Sequence, residues 1–101
     1  MDFSKIKSGT VLTFQTENSS RMLYLVVKRC SITKMDSIKI YTKMVHVFDS
    51  KGNYIVTNSF KQPYEFDPEE IDKKLTFTDQ ATINKINEVF EKNGKQVHQF
   101  P

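Results

Sequence analysis

The stretch from residue 37 to residue 60 constrains the fold more than any other part of this chain. Residues 37–48 and 54–60 are rich in β-branched and aromatic side chains, and Asp49-Ser50-Lys51-Gly52-Asn53 joins them. A short polar loop with a glycine near its end supplies the left-handed residue that a type I turn with a bulge requires, so the two runs predict a hairpin. The first run is long for a flat strand. Its apolar phase also changes, from Ile38 and Ile40 to Val45 and Val47, which calls for a bend or bulge near Thr42, Lys43 and Met44.

The flanking segments extend the same pattern. Residues 10–16 alternate, with Leu12 and Phe14 on one face and Val11, Thr13 and Gln15 on the other, and Gly9 supplies a turn before them. A polar cluster, Glu17-Asn18-Ser19-Ser20, separates this strand from residues 21–30, whose richness in β-branched and aromatic residues reads as a central, largely buried strand. Past Pro63 the character changes. Asp67 is placed to cap a helix of about two turns with Pro68 at its first position, and Phe66 to staple onto Ile71. Residues 75–77 read as a brief strand. Thr78 or Asp79 then caps a second helix ending at Lys92 or Asn93, with Gly94 closing it. Ile83, Ile86, Val89 and Phe90 form one stripe on that helix, which is expected to cover the sheet, while Val97 and Phe100 suit a docked last strand.

The opening Ile6-Lys7-Ser8-Gly9-Thr10-Val11-Leu12, followed by an apolar strand and a long bent hairpin, resembles the start of SH3-like small barrels over roughly the first sixty residues. That resemblance brings no functional residue with it. The expected fold class is therefore α+β: a twisted antiparallel sheet, or a small SH3-like partly open barrel, of four to six strands. A short helix and one longer C-terminal helix pack on it. At 101 residues the chain forms one domain, residues 1–101, strand-rich over 1–61 and helix-containing over 62–101, because two separate cores would each be too small.

Cysteine use and hydropathy bound the setting. Cys30 has no partner in the chain, which favours a reducing compartment, and the N-terminal residues lack the apolar core of a secretion signal. No apolar run approaches the ~20 residues that span a bilayer. A cytoplasmic protein without membrane association is expected. The short, lysine- and asparagine-rich make-up without tryptophan is similar to small accessory proteins of bacteriophages and mobile elements, which would place it in the cytoplasm of a host cell.

The chain offers few groups for chemistry. Cys30, His46 and Asp49 sit at unrelated strand positions, with the cysteine expected to be buried and inert and the histidine to lie at a strand surface. His46 and His98 fall short of a usual metal-ligand set, and the three glycines all have turn or cap explanations. A non-catalytic protein with no metal and no cofactor is expected.

Charge is more informative. The net charge of +3 divides along the chain: residues 1–61 hold ten Lys or Arg against four Asp or Glu, whereas residues 62–101 hold five against eight. Lys28, Arg29, Lys39, Tyr41 and Lys43 place cations around an aromatic on the central strands, the combination with which sheet surfaces hold single-stranded RNA or DNA. Against this stand thirteen lysines spread over the chain and only two arginines, Arg21 and Arg29. The acidic run Glu65, Asp67, Glu69, Glu70 and Asp72 suits a helix start, and equally a basic surface on a partner. With Tyr41, Tyr54 and Tyr64 as aromatic anchors, those carboxylates make a protein-binding module the leading expectation, one that modulates a host enzyme or defence complex. Nucleic-acid binding through the sheet face is the alternative. Self-association through uncovered edge strands, giving a homo-oligomer, is a third.

Overall fold

A computed structural model of the chain describes residues 1–15 and 19–101. The expected turn at Glu17 and Asn18, and the end of the first strand at Thr16, lie outside the described residues. Seven strands form one mostly antiparallel open sheet, with two helices: β1 (Val11–Gln15), β2 (Arg21–Ile32), β3 (Ile38–Asp49), β4 (Tyr54–Phe60), β5 (Tyr64–Phe66), α1 (Pro68–Lys74), β6 (Leu75–Phe77), α2 (Gln80–Lys92) and β7 (His98–Phe100). The spatial order is β6-β1-β2-β3-β4-β7, and β5 also pairs with β3. Only β7 runs parallel to its neighbour, β4. The count exceeds the four to six strands expected, because Tyr64-Glu65-Phe66, read only as the approach to a helix, adds a strand against Ile38–Ile40.

The β2–β3 ribbon sets the shape of the molecule. Each strand has twelve residues, and at about 3.3 Å per residue the ribbon spans most of the 41 Å long axis. Its register shifts twice in succession. Val26 pairs with Met44, Val27 with Thr42 and Arg29 with Tyr41, so Lys43 and Lys28 are skipped, one on each strand. This is the irregularity that the phase change between Ile40 and Val45 demanded, and it lies within the three residues named for it.

One side of the sheet holds the main core. Leu12, Phe14, Leu25, Val27, Ile38, Ile40, Val45 and Val47 point into it, where they meet Ile6, Phe66, Ile71 and Leu75. Phe66 and Ile71 are both buried in this cluster, as a hydrophobic staple across the start of α1 requires. Asp67 occupies the N-cap position in an extended conformation, but its carboxylate makes no capping bond. The Glu70 amide instead donates to the Asp67 carbonyl at 3.0 Å, so the first turn is closed by backbone alone.

Helix α2 lies on the other side. Its start is capped by Asp79, whose carboxylate accepts from the Thr82 amide at 2.7 Å; hydrogen bonding from the Thr82 side chain, and then from its amide, holds the Asp79 pKa below the ordinary carboxylate value. Ile86 is buried, with Ile83, Val89 and Phe90 half-buried beside it, and the Phe90 ring meets His46 edge-on at 4.8 Å. The stripe read from the sequence thus covers the sheet. Ile83, Asn87 and Phe90 of the helix share a groove with Val11, Val26, Met44 and His46, while Lys28, Arg29 and Lys43 are exposed. None of the helices is long and apolar enough to cross a membrane.

Candidate nucleic-acid interface

A second irregularity lies on the opposite edge of β3. Strand β4 pairs with β3 only from Val45 to Phe48, and β5 pairs only with Ile38, Lys39 and Ile40. Tyr41, Thr42, Lys43 and Met44 therefore have no partner on that edge. Beyond Asn58, β4 turns away to pair with β7, and a cleft of about 420 Å³ opens in the gap, lined by Lys28, Tyr41, Thr42, Lys43, Ser59, Phe60 and Lys61.

The electrostatics of this cleft are one-sided. Three lysines, Lys28, Lys43 and Lys61, line it and no Asp or Glu does. Among the described residues none of the three forms an ion pair, since the ion pairs there involve the Met1 amine, Lys74, Lys92 and Lys95. Next to the cleft, the Arg29 guanidinium lies 3.6 Å over the ring centre of Tyr41, its cross-strand partner. That cation–π stack holds a planar, charged surface on the uncovered face of the sheet. Thr42, one of the lining residues, has a buried hydroxyl without a hydrogen-bond partner, the one side-chain oxygen or nitrogen among the described residues in that condition.

The structure thus gathers Lys28, Tyr41 and Lys43 in one cleft and sets Arg29 beside them, as four of the five residues named for sheet-face binding. Lys39 stands apart, half-buried between Ser31 and Glu65 in the ladder. The sequence reading does not single out Thr42, Ser59 or Lys61 as site residues. Lys61 follows the last residue of β4 and Thr42 interrupts an apolar alternation, but their meeting depends on where β4 leaves β3, which no local pattern encodes.

The acidic run and the tyrosines are more dispersed. Glu65 accepts from the Ser37 hydroxyl at 2.9 Å, Glu70 pairs with Lys74 at 3.2 Å, and Asp72 takes the Met1 amine at 2.6 Å. Asp67 and Glu69 are exposed at the start of α1. Tyr54 faces the α2 side, its hydroxyl 2.7 Å from Thr57. Tyr64 packs against Phe14, Phe60 and Phe66, and burial raises its phenol pKa. No single surface contains Tyr41, Tyr54 and Tyr64 together with the carboxylates.

His46 departs from its expected place at a strand surface. It is 2% exposed, between Tyr24 and Thr57 in the ladder, with its Nδ1 2.8 Å from the Thr57 hydroxyl. Burial pushes its pKa down to about 4, so the ring is neutral at physiological pH. Cys30 packs instead against the core on the opposite face of the sheet, where burial pushes its thiol pKa up. Asp49 caps the β3–β4 turn, accepting from the Lys51 and Asn53 amides at 2.9 and 2.8 Å, while Gly52 takes the left-handed conformation at φ +86°. The three residues do not converge. Among the described residues no group of three or more His, Cys, Asp or Glu is placed to hold a metal ion.

Comparison with known proteins adds no constraint: no protein-family model, no curated protein and no solved structure matches this chain.

Proposed function

We propose that this domain is a binding module that grips the sugar-phosphate backbone of single-stranded RNA or DNA on the outer face of the β2–β3 ribbon, without carrying out chemistry on it. The reading rests on one observation: the two residues skipped by the ladder are both lysines, and with Lys61 they line a cleft that holds no carboxylate. Like charges that line one concavity repel one another, and an anion among them relieves that repulsion. The Arg29–Tyr41 stack alongside offers a flat surface on which a base can rest, because guanidinium planes and aromatic rings both stack on bases. A strand bent at its middle, as in SH3-like small barrels, fits the same reading by presenting these groups on a curved surface.

Fluorescence anisotropy with labelled oligothymidylate and oligouridylate tests the proposal. Binding should be measurable at low salt, and log affinity should fall linearly with log salt at a slope of roughly −2 to −3, since each phosphate neutralised on a single strand contributes about 0.7. Undetectable binding at low ionic strength sinks it.

A second reading, docking to a protein with a basic rim, draws on a different place. The β2–β3 turn exposes Ile32 at 61% and Met35 at 88%, and the Ser37–Glu65 bond ties that turn to the strand leading into exposed Asp67 and Glu69. An apolar tip beside carboxylates is the anatomy of a small interface. If it operates, Glu69→Lys with Met35→Ser should abolish capture of the partner from host lysate while leaving oligonucleotide affinity unchanged; capture that survives both changes removes it.

A further inference from the structure

We infer that the cleft between β3 and the departing β4 is a seat for one terminal phosphate group, a phosphomonoester at the end of a strand. The inference rests on the nucleic-acid reading only for the molecule that carries the phosphate. Four features of the cleft support it.

The first is the gap in the sheet edge. Tyr41 to Met44 lack a partner on the β4 side, so backbone groups that would otherwise be closed in a ladder face a cavity. The second is the Thr42 hydroxyl. Thr42 is 5% exposed and its oxygen has no hydrogen-bond partner, a condition that native folds rarely leave standing without a reason. Thr42 lines the cleft, but its hydroxyl is closed off in the core-facing alternation, so the seat requires a rotation about χ1 that turns this donor toward the occupant. Ser59, on the β4 wall, supplies a second hydroxyl.

Charge is the third feature. A phosphodiester within a strand carries one negative charge, whereas a terminal phosphomonoester carries nearly two at neutral pH. Lys28, Lys43 and Lys61, with no carboxylate among them, match the more highly charged group. Size is the fourth: about 420 Å³ falls within the roughly 300–1,000 Å³ of small-ligand sites. Phe60 and Tyr41 form the apolar part of the wall beside the polar groups. One phosphate with its sugar fits such a space, and the Phe60–Lys61 exit of β4 bounds it on one side.

The test uses the full chain and two kinds of probe. Inorganic phosphate is titrated while backbone amide resonances are followed, and ten-nucleotide oligothymidylates bearing a phosphate at the 5′ end, at the 3′ end or at neither are compared by competition. The expected result is saturable shifts confined to Thr42, Lys43, Ser59, Lys61 and their neighbours, with one end-phosphorylated strand binding roughly three- to tenfold more tightly than the unphosphorylated one. Thr42→Val should fold at least as well as the parent, since it removes an unpaired buried hydroxyl, yet lose that preference. Equal affinity for all three strands, or a preference that survives Thr42→Val, overturns the seat and leaves general strand binding intact. Saturable phosphate binding at the cleft without binding of any oligonucleotide upholds the seat and removes the nucleic-acid reading. Phosphate shifts that are absent, or spread over the lysines at large, overturn the seat.

Discussion

Lowering the pH from 6.5 to 4 is expected to remove about 3 kcal/mol of folding stability through His46 alone. The imidazole has a pKa near 6.5 when exposed and about 4 in the fold, and each unit of difference is worth about 1.4 kcal/mol. The cause is burial: the ring sits between Tyr24 and Thr57 in the ladder and under Phe90 of α2. Below 6.5 the unfolded chain takes up a proton that the folded chain refuses, so the unfolded state binds more protons and stability falls as pH falls. The loss is complete once pH drops below about 4. The carboxylates of Asp49 and Asp79, held below their ordinary value of 3.8, act at lower pH still, so the two effects separate along the titration. Urea denaturation at half-unit pH intervals measures the profile. His46→Leu should flatten it between pH 6.5 and 4, because Thr57 keeps the Tyr54 hydroxyl as a partner at 2.7 Å; an unchanged profile in that variant would refute the assignment.

Reversing Lys28 and Lys43 together to glutamate should weaken oligonucleotide binding by roughly 10- to 100-fold at low salt. The magnitude of the salt slope should drop by about 1.4, corresponding to two lost phosphate contacts. Both side chains leave the ladder at the interruption, and neither belongs to the core, so the thermal midpoint should stay close to that of the parent. A control pair drawn from the exposed lysines of α2, Lys85→Glu with Lys92→Glu, carries the same change in net charge away from the cleft. Equal loss in the two pairs would show that overall charge, not the cleft, governs the interaction.

The parts of this architecture legible in the sequence are those encoded over short distances. The β3–β4 turn follows from Asp49 and Gly52, the break in β3 from the phases of Ile38, Ile40, Val45 and Val47, and the second helix from the Asp79 cap and the stripe through Ile86. Strand β5 was hidden because three residues between a proline and an Asp-Pro pair cannot display an alternation. The burial of His46 was hidden for a different reason: it depends on which sheet face α2 covers, and a periodic stripe on a helix identifies the covering surface without identifying what is covered. The site divides in the same way. Lys28, Arg29, Tyr41 and Lys43 are close in the sequence of two paired strands, so their grouping could be read from the ribbon. Ser59, Phe60 and Lys61 join them only because β4 abandons β3 for β7.

Lys28 and Lys43 can also be viewed as guests in an otherwise unbroken ribbon. With both skipped, Leu25, Val27, Cys30 and Ile32 alternate in step on β2, as do Ile38, Ile40, Thr42, Val45 and Val47 on β3, and every apolar partner on one strand still meets its counterpart on the other. Interior packing would therefore be served equally well by a chain two residues shorter and straighter. The pair contributes curvature and charge at a point where the apolar alternation of the interior is already complete without it.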